Sequence, residues 1–477
     1  MKKNGQTIFS LFQTTAKEVN AYKIILREQG VVPKKITTLE QFRHLPILDK
    51  KTYINRFPLS ERIPTSSFPP MAYASSGSSG TPTYWFVNDA QEKIGGNIHE
   101  YIFRNMFAIT EQSPTLVVVC FAMGVWVAGH FTLASCRNIA QKGYQLTCIT
   151  PSINMNDVLD VLARFAPKYK NIILAGYPPF LMDVLRIARQ RRILLHKNKI
   201  GLLTAGTTFS EQWRDTAHTL IGSPNAPIVN VYGSADAGML GHETTLTIAL
   251  RRYARINSDF SCALFGSAVP QAGLYQYHPE HVFFEEHAGE LLITANTAIP
   301  LVRYNIHDRG RIFSPSALRT LLTEMRAPKK FYTLLKDFSL PLVRVDGRTD
   351  VATTFYALNI YPEHLEAAVD QKPLRDFFSG NFIVYRRQFQ KAKREQLCIR
   401  LELAAGKTHT QELIALCVDT IVRTLQKKSI EYKKLHASIG KAAIPIVEVY
   451  AHGDPHIHQA RVPGFLRLKG KKIRMLA

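Results

Sequence analysis

Apolar residues are grouped along this chain in two rhythms. Between residues 88 and 320, the runs TLVVVCF (115–121), NIILAG (171–176), KIGLLTAG (199–206), APIVNVYG (226–233) and GELLITA (289–295) are apolar at most positions. Several are rich in β-branched side chains, and runs of this length predict strands buried on both faces. Between them the spacing becomes that of amphipathic helices. NMNDVLDVLARFA (154–166) opens with Asn and Asp, and PPFLMDVLRIARQRR (178–192) has proline at its start and cations at its end. Such alternation predicts a large layered α/β domain with a largely parallel central sheet, and ligands at the carboxyl ends of its strands. Residues 1–70 read as helices and turns closing on the proline-rich SERIPTSSFPP.

The pattern changes near Gly347 to strand, helix, strand, helix, ending in the long helical stretch TQELIALCVDTIVRTLQKK (410–428). A small α+β C-terminal domain over 347–477, following an N-terminal domain over 1–346, is the economical division. The stretch from Leu116 to Cys136 has no charged residue and is long enough to cross a bilayer. Gly124, Gly129 and His130 interrupt it, however. A buried strand at 116–121, a glycine turn and an apolar helix over about 127–140 account for it without a membrane span.

With 477 residues, 46% of them hydrophobic and 20% charged, the chain can bury a sizeable core. Its formal net charge of +23 is unusual. The basic residues are spread along the chain in small clusters and no nucleic-acid motif accompanies them, so they are assigned to solvated faces and an anion-binding cleft rather than to a nucleic-acid partner. The six cysteines, at 120, 136, 148, 262, 398 and 417, form no CxxC pair, and no secretory signal is apparent. The expectation is a reduced, cytoplasmic protein with buried thiols.

One loop stands out chemically. YASSGSSGTPT (73–83) carries four serines, two threonines and two glycines, followed by Tyr84, Trp85 and Phe86. Glycines let the backbone turn its N–H groups toward one anion, and hydroxyls add donors of little bulk, so the loop fits a triphosphate cradle. It has no lysine in the Walker position. Three further segments follow in order, VYGSADAG (231–238), LVRYNIHDRG (301–310) and DGRTDVATTFYALNIYP (346–362), and the chain closes on KGKKIR (469–474). HPEHVFFEEH (278–287) also offers His278, His281 and His287 with glutamates, a zinc-like composition without helical HExxH spacing.

Together the ordered segments resemble the adenylate-forming superfamily, most closely its phenylacetate–CoA ligase branch, which also begins with segments like AYKIILREQGV (21–31) and LPILDKKTYINRF (45–57). The resemblance implies ATP-dependent activation of a small carboxylic acid as its adenylate, with Mg²⁺, followed by transfer to a thiol, that of CoA. It implies a phosphate loop of Ser75, Ser76, Ser78, Ser79, Gly80 and Thr81, and an adenine-stacking Tyr232 followed by Gly233. Asp236 would be the Mg²⁺ carboxylate, Asp308 the ribose acceptor and Arg348 a ribose or phosphate contact. Asp350 would be the hinge, and Lys471 the mobile ammonium that bridges carboxylate and α-phosphate.

The chain departs from the family at several positions. Ala235-Asp236 replaces Thr-Glu, His307 and Ala357 replace glycines, and Val351 replaces a second aspartate. Ala357 falls where a glycine lines the pantetheine tunnel, so an acidic carrier protein or a reductase is the alternative acceptor. A non-catalytic nucleotide- or RNA-binding protein on a ligase scaffold is the rival from another class. The apolar segments 120–131 and 174–181, with Tyr177, Pro178 and Phe180, are candidate walls for the acid.

Overall fold

The computed structural model describes residues 2–66, 68–75, 83–193, 199–266, 272–348, 353–356, 358–388, 395–458, 464–467 and 474–476. Among these, residues of 1–73 and 85–348 form one compact unit, and residues of 74–84 and 349–477 form another.

The first strands, β1 (Met71–Ser75) and β2 (Thr83–Val87), make a two-stranded sheet of their own. The first unit is built on eleven strands: β3 (Thr115–Cys120), β4 (Leu146–Ile149), β5 (Asn171–Gly176), β6 (Lys199–Ala205), β7 (Ile228–Ser234), β8 (Gly238–His242), β9 (Gly273–Gln276), β10 (Val282–His287), β11 (Glu290–Ala295), β12 (Leu301–Phe313) and β13 (Leu342–Arg348). Their order is β10-β11-β12-β13-β9-β8-β7-β6-β5-β3-β4. The run from β4 to β7 is parallel. From β7 to β10 every neighbour is antiparallel. The sheet is thus parallel in only one half.

The parallel half follows from the apolar runs. Every residue of β3 and β5 is buried, because helices cover both faces. Leu116, Val118, Ile172 and Leu174 pack with the helices Met155–Phe165, Pro178–Gln190 and Glu211–Ile221. The alternate residues Val117, Val119, Ile173 and Ala175 pack with Asp89–Met106 and Val127–Gln141. Asn154 caps Met155–Phe165 through the N–H groups of Asn156 and Asp157, and Pro178 opens the next helix. Among the described residues no helix is long and apolar enough to cross a membrane, and residues 127–141 form an ordinary helix on the sheet. All six thiols are free; four are buried, Cys148 is half-buried and Cys262 is exposed, against the expectation that all are buried.

The antiparallel half rests on the leading helices on one face and on Thr245–Ile256, Ser258–Phe265, Pro315–Glu324 and Lys330–Asp337 on the other. β12 runs for 13 residues and is irregular: its register with β11 shifts twice, and Arg303 and His307 have φ of +48° and +61°. β13 pairs with it only from Asp308 onward. Short of that point Leu48 takes the vacant side, donating from its N–H to the Arg303 carbonyl at 3.1 Å and accepting from the Asn305 N–H at 2.7 Å.

The second unit carries a short antiparallel pair, β14 (Thr353–Phe355) and β15 (Leu358–Ile360), and a five-stranded sheet. Its strands are β16 (Phe378–Gln388), β17 (Glu395–Leu403), β18 (Ile446–Tyr450), β19 (Gly464–Arg467) and β20 (Arg474–Leu476), in the order β18-β17-β16-β19-β20. Helices Pro362–Val369 and Gln411–Lys428 cover it, with Leu365, Cys417 and Ile421 in its core.

Candidate functional site

β7 turns back on itself as β8 at the carboxyl end of the parallel half. Tyr232 pairs with Gly241, Gly233 with Met239 and Ser234 with Gly238, leaving Ala235, Asp236 and Ala237 as the tip. Two glycines make this turn possible. Gly238 has φ of +75°, and a Cβ on Gly233 would stand 2.9 Å from the Gly238 carbonyl oxygen. Ser234 Oγ accepts from the Ala237 N–H at 3.2 Å, which fixes the tip and with it the half-buried Asp236.

The base of the hairpin is anchored by buried charge. Glu243 accepts from Arg214 at 2.8 and 2.9 Å, from Arg251 at 2.6 Å and from the Asn230 N–H at 2.9 Å. Glu211 completes the set by accepting from Arg214 at 2.8 Å. Burial alone would raise the Glu243 carboxyl, but the guanidinium groups of Arg214 and Arg251 hold it below the usual carboxylate range.

Tyr232 and Asp308, 76 residues apart, meet here. The phenol donates to Asp308 Oδ2 at 2.5 Å, and both residues are buried, 9% and 6% exposed. The Tyr232 ring lies nearly parallel to Tyr275 and to Phe284, with centroids 5.4 and 6.4 Å away. The aromatic expected to face a purine therefore sits inside an aromatic row and is almost wholly buried. Across the ladder Asp308 pairs with Arg348. One region of the first unit thus gathers Tyr232, Gly233, Asp308 and the backbone of Arg348, with Asp236 at the tip of the same hairpin.

His307 explains one departure from the family pattern. Its φ of +61° lies where glycine is favoured. The histidine is held there by the Asn305 side chain, which accepts from its N–H at 2.7 Å. Its ring lies 3.9 Å from Asp49 and 3.8 Å from Glu290.

The candidate acid walls do not come together as one surface. Phe121 and Met123 belong to the cluster on one face of the sheet, whereas Phe180 packs into the cluster on the other. In the first segment, Met123 donates from its N–H to Ser152 Oγ at 3.1 Å, and His130 Nε2 donates to the Gly124 carbonyl at 2.6 Å while its ring stacks on Tyr73. The Phe131 ring lies against the backbone of Gly95 and 3.6 Å from where a Gly238 Cβ would be, so it fills the space beside the hairpin.

Ser75 ends β1. Ser76, Ser78, Ser79, Gly80, Thr81, Asp350 and Lys471 lie outside the described residues, as do Val351 and Ala357. Sequence reasoning missed Tyr275 and Phe284, whose part in the row depends on the antiparallel strands. Among the described residues no group of three or more His, Cys, Asp or Glu side chains is placed to hold a metal. In particular, His287 ends β10 opposite Glu290 and Glu285 pairs with Arg303, so the segment 278–287 does not converge as one ligand set.

No protein-family model matches the chain, and no curated protein matches it. Solved structures do. A 2-hydroxyisobutyryl-CoA ligase in complex with 2-HIB-AMP and CoA, in the thioesterification state, aligns over 95% of this chain and 86% of its own, at 15% identity and a TM-score of 0.61. An open conformation of that ligase with the same ligands aligns over 100% of this chain and 91% of its own, at 14% identity and a TM-score of 0.53. This chain has the adenylate-forming ligase fold. In that fold the chain supplies a mixed α/β unit with a large sheet, and the hairpin with its Tyr232–Asp308 pair lies at the carboxyl end of the sheet's parallel strands.

Proposed function

We propose that this chain activates a carboxylic acid with ATP as the acyl adenylate and transfers the acyl group to the thiol of CoA, in the manner of a phenylacetate–CoA ligase. The observation that carries the reading is the Tyr232–Asp308 hydrogen bond beside the Asp236 hairpin. It brings together three positions that the sequence motifs single out separately.

The residues present fit the nucleotide. Asp308 is a buried carboxylate already oriented by a phenol, suited to accept from ribose hydroxyls. Asp236 is a half-buried carboxylate on a turn fixed by Ser234, a hard oxygen donor of the kind Mg²⁺ takes. When bound, Mg²⁺ would supply neutralisation of phosphate charge. The Ser75–Thr81 loop would cradle the phosphates and Lys471 would offset the charge where two anions must meet. A substrate carboxylate oxygen bonds to the α-phosphorus, the bond to the β-phosphate oxygen breaks and pyrophosphate leaves. In the second step the thiol sulfur, having lost its proton, bonds to the acyl carbon and AMP leaves. The free thiols are consistent with a reducing, cytoplasmic setting.

The test is ATP–pyrophosphate exchange with a panel of aryl, hydroxy and fatty acids, with Lys471→Ala alongside and CoA added afterwards. The expected result is exchange with one acid class, lost in the variant, and thioester on adding CoA. Absence of exchange with every acid, despite measurable ATP binding, would overturn the reading.

A further inference from the structure

Two of the six free thiols meet beneath one helix, away from the candidate site. Cys136 lies on the buried stripe of the helix Val127–Gln141, with Gly129, Thr132, Ser135 and Ile139, and is fully buried. Cys148 lies on β4, the strand that ends the parallel half, and is half-buried. Side chains alternate along a strand. Leu146 and Cys148 therefore pack into the cluster that holds Cys136, whereas Ile149 packs on the other face of the sheet. The two thiols share a hydrogen bond.

In such a pair one S–H donates and the other sulfur accepts. The bond raises Cys136, as burial also does, and lowers Cys148 against the effect of burial. The proton therefore stays with the fully buried Cys136, and Cys148 is the sulfur that becomes a thiolate. The thiolate is the nucleophilic form, and here it falls on the more accessible of the two. Burial raises Cys120, Cys398 and Cys417, which makes them poor nucleophiles. A second thiol already in contact with the reactive one directs its oxidation to a disulfide.

We propose that Cys148 is a peroxide-reactive site resolved by Cys136, closing a disulfide between β4 and the helix packed on it. Hydrogen peroxide is the oxidant. The Cys148 sulfur bonds to one peroxide oxygen, the O–O bond breaks and hydroxide leaves, so Cys148 becomes a sulfenic acid. The Cys136 sulfur, giving up its proton, then bonds to the Cys148 sulfur, the S–O bond breaks and the oxygen leaves as water. The hydroxide takes the proton that Cys148 lost. Two thiols are thus oxidised by two electrons while one peroxide is reduced to two waters. The bridge ties the helix that carries Phe131 to the edge of the sheet.

The reduced full-length protein is exposed to hydrogen peroxide, remaining thiols are blocked with N-ethylmaleimide in denaturant, and tryptic peptides are weighed without reduction. The expected product joins the peptide ending at Arg137 to the one beginning at Gly143, and fragmentation places the bond on Cys136 rather than Cys120. It should form before the exposed Cys262 is oxidised and disappear with dithiothreitol. In a folded Cys136→Ala variant, dimedone should trap Cys148 as the sulfenic acid instead. Should that variant not fold, the bond assignment in the parent protein decides. Cys148 still reduced once Cys262 is consumed, Cys148 bonded to any other thiol, or Cys148 oxidised while Cys136 remains a thiol would overturn the proposal.

Discussion

The Tyr232 hydroxyl donates to Asp308 Oδ2 at 2.5 Å, joining the carboxyl end of β7 to the irregular strand β12. A short O–H···O⁻ bond between buried partners fixes the carboxylate before any ligand arrives.

Tyr232→Phe keeps the ring and its stacking but releases that carboxylate. KM for ATP should rise about fivefold, on the order of 1 kcal/mol, with kcat little changed. Asp308→Asn should cost more, and the double variant should lose less than the sum of the two. Initial-rate kinetics on all three proteins check this, and strict additivity would remove the orienting role of Tyr232.

The Glu243 network balances two guanidinium groups with two carboxylates away from water. Glu243→Gln leaves Arg214 and Arg251 in the core with one carboxylate between them. Unfolding in urea should show a loss of about 3–5 kcal/mol with an unchanged slope. A loss below about 1 kcal/mol would mean that solvent reaches the site.

Gly310 faces β13 so closely that a Cβ would fall on the Arg344 carbonyl oxygen. Backbone cannot move aside as a side-chain tip can. Gly310→Ala should therefore lower stability by about 1–3 kcal/mol, and it should disturb the ladder that sets Asp308 opposite Arg348. Thermal unfolding and ATP affinity, measured on the same preparation, should fall together.

Much of this was legible in the chain, for identifiable reasons. β3, β5 and β6 are parallel strands covered on both faces, and continuous apolar runs encode that directly. The Asn154 cap and the proline at 178 marked helix starts that the structure places at Met155 and Pro178. The antiparallel half was harder to read. β12 buries Arg303, Asn305 and Asp308 and bends at two residues of positive φ, so neither a run nor an alternation survives in its sequence. β8 has five residues, two of them glycine. The Tyr232–Asp308 meeting is a product of strand order, which no local pattern carries.

His99 is a buried imidazole whose Nδ1 donates to the Gly95 carbonyl at 2.8 Å, packed on Phe103 and Phe131. Burial lowers it from 6.5 to about 4. The unfolded chain therefore takes up a proton that the folded chain refuses. Its contribution is whole above pH 6.5, is lost progressively as pH falls toward 4 and changes no further below that. The slope is at most about 1.4 kcal/mol per pH unit. Urea titrations at pH 7.5, 6 and 5 should show a steeper decline for the parent than for His99→Phe; parallel curves would mean that the ring is hydrated.

The pairing of Leu48 with Arg303 and Asn305 bears on how the protein can be shortened. The leading residues act as a splint, closing a gap where β12 has outrun its neighbour β13. Arg303 leans on the same splint through its guanidinium, which donates to the Leu45 carbonyl. A fragment starting after Asp49 would lose the partners of two main-chain groups, and one of the partners of the buried Arg303 cation, on the strand that carries Asp308. Trimming the N terminus would therefore compromise the strand that carries Asp308, although that strand begins some 250 residues further along the chain.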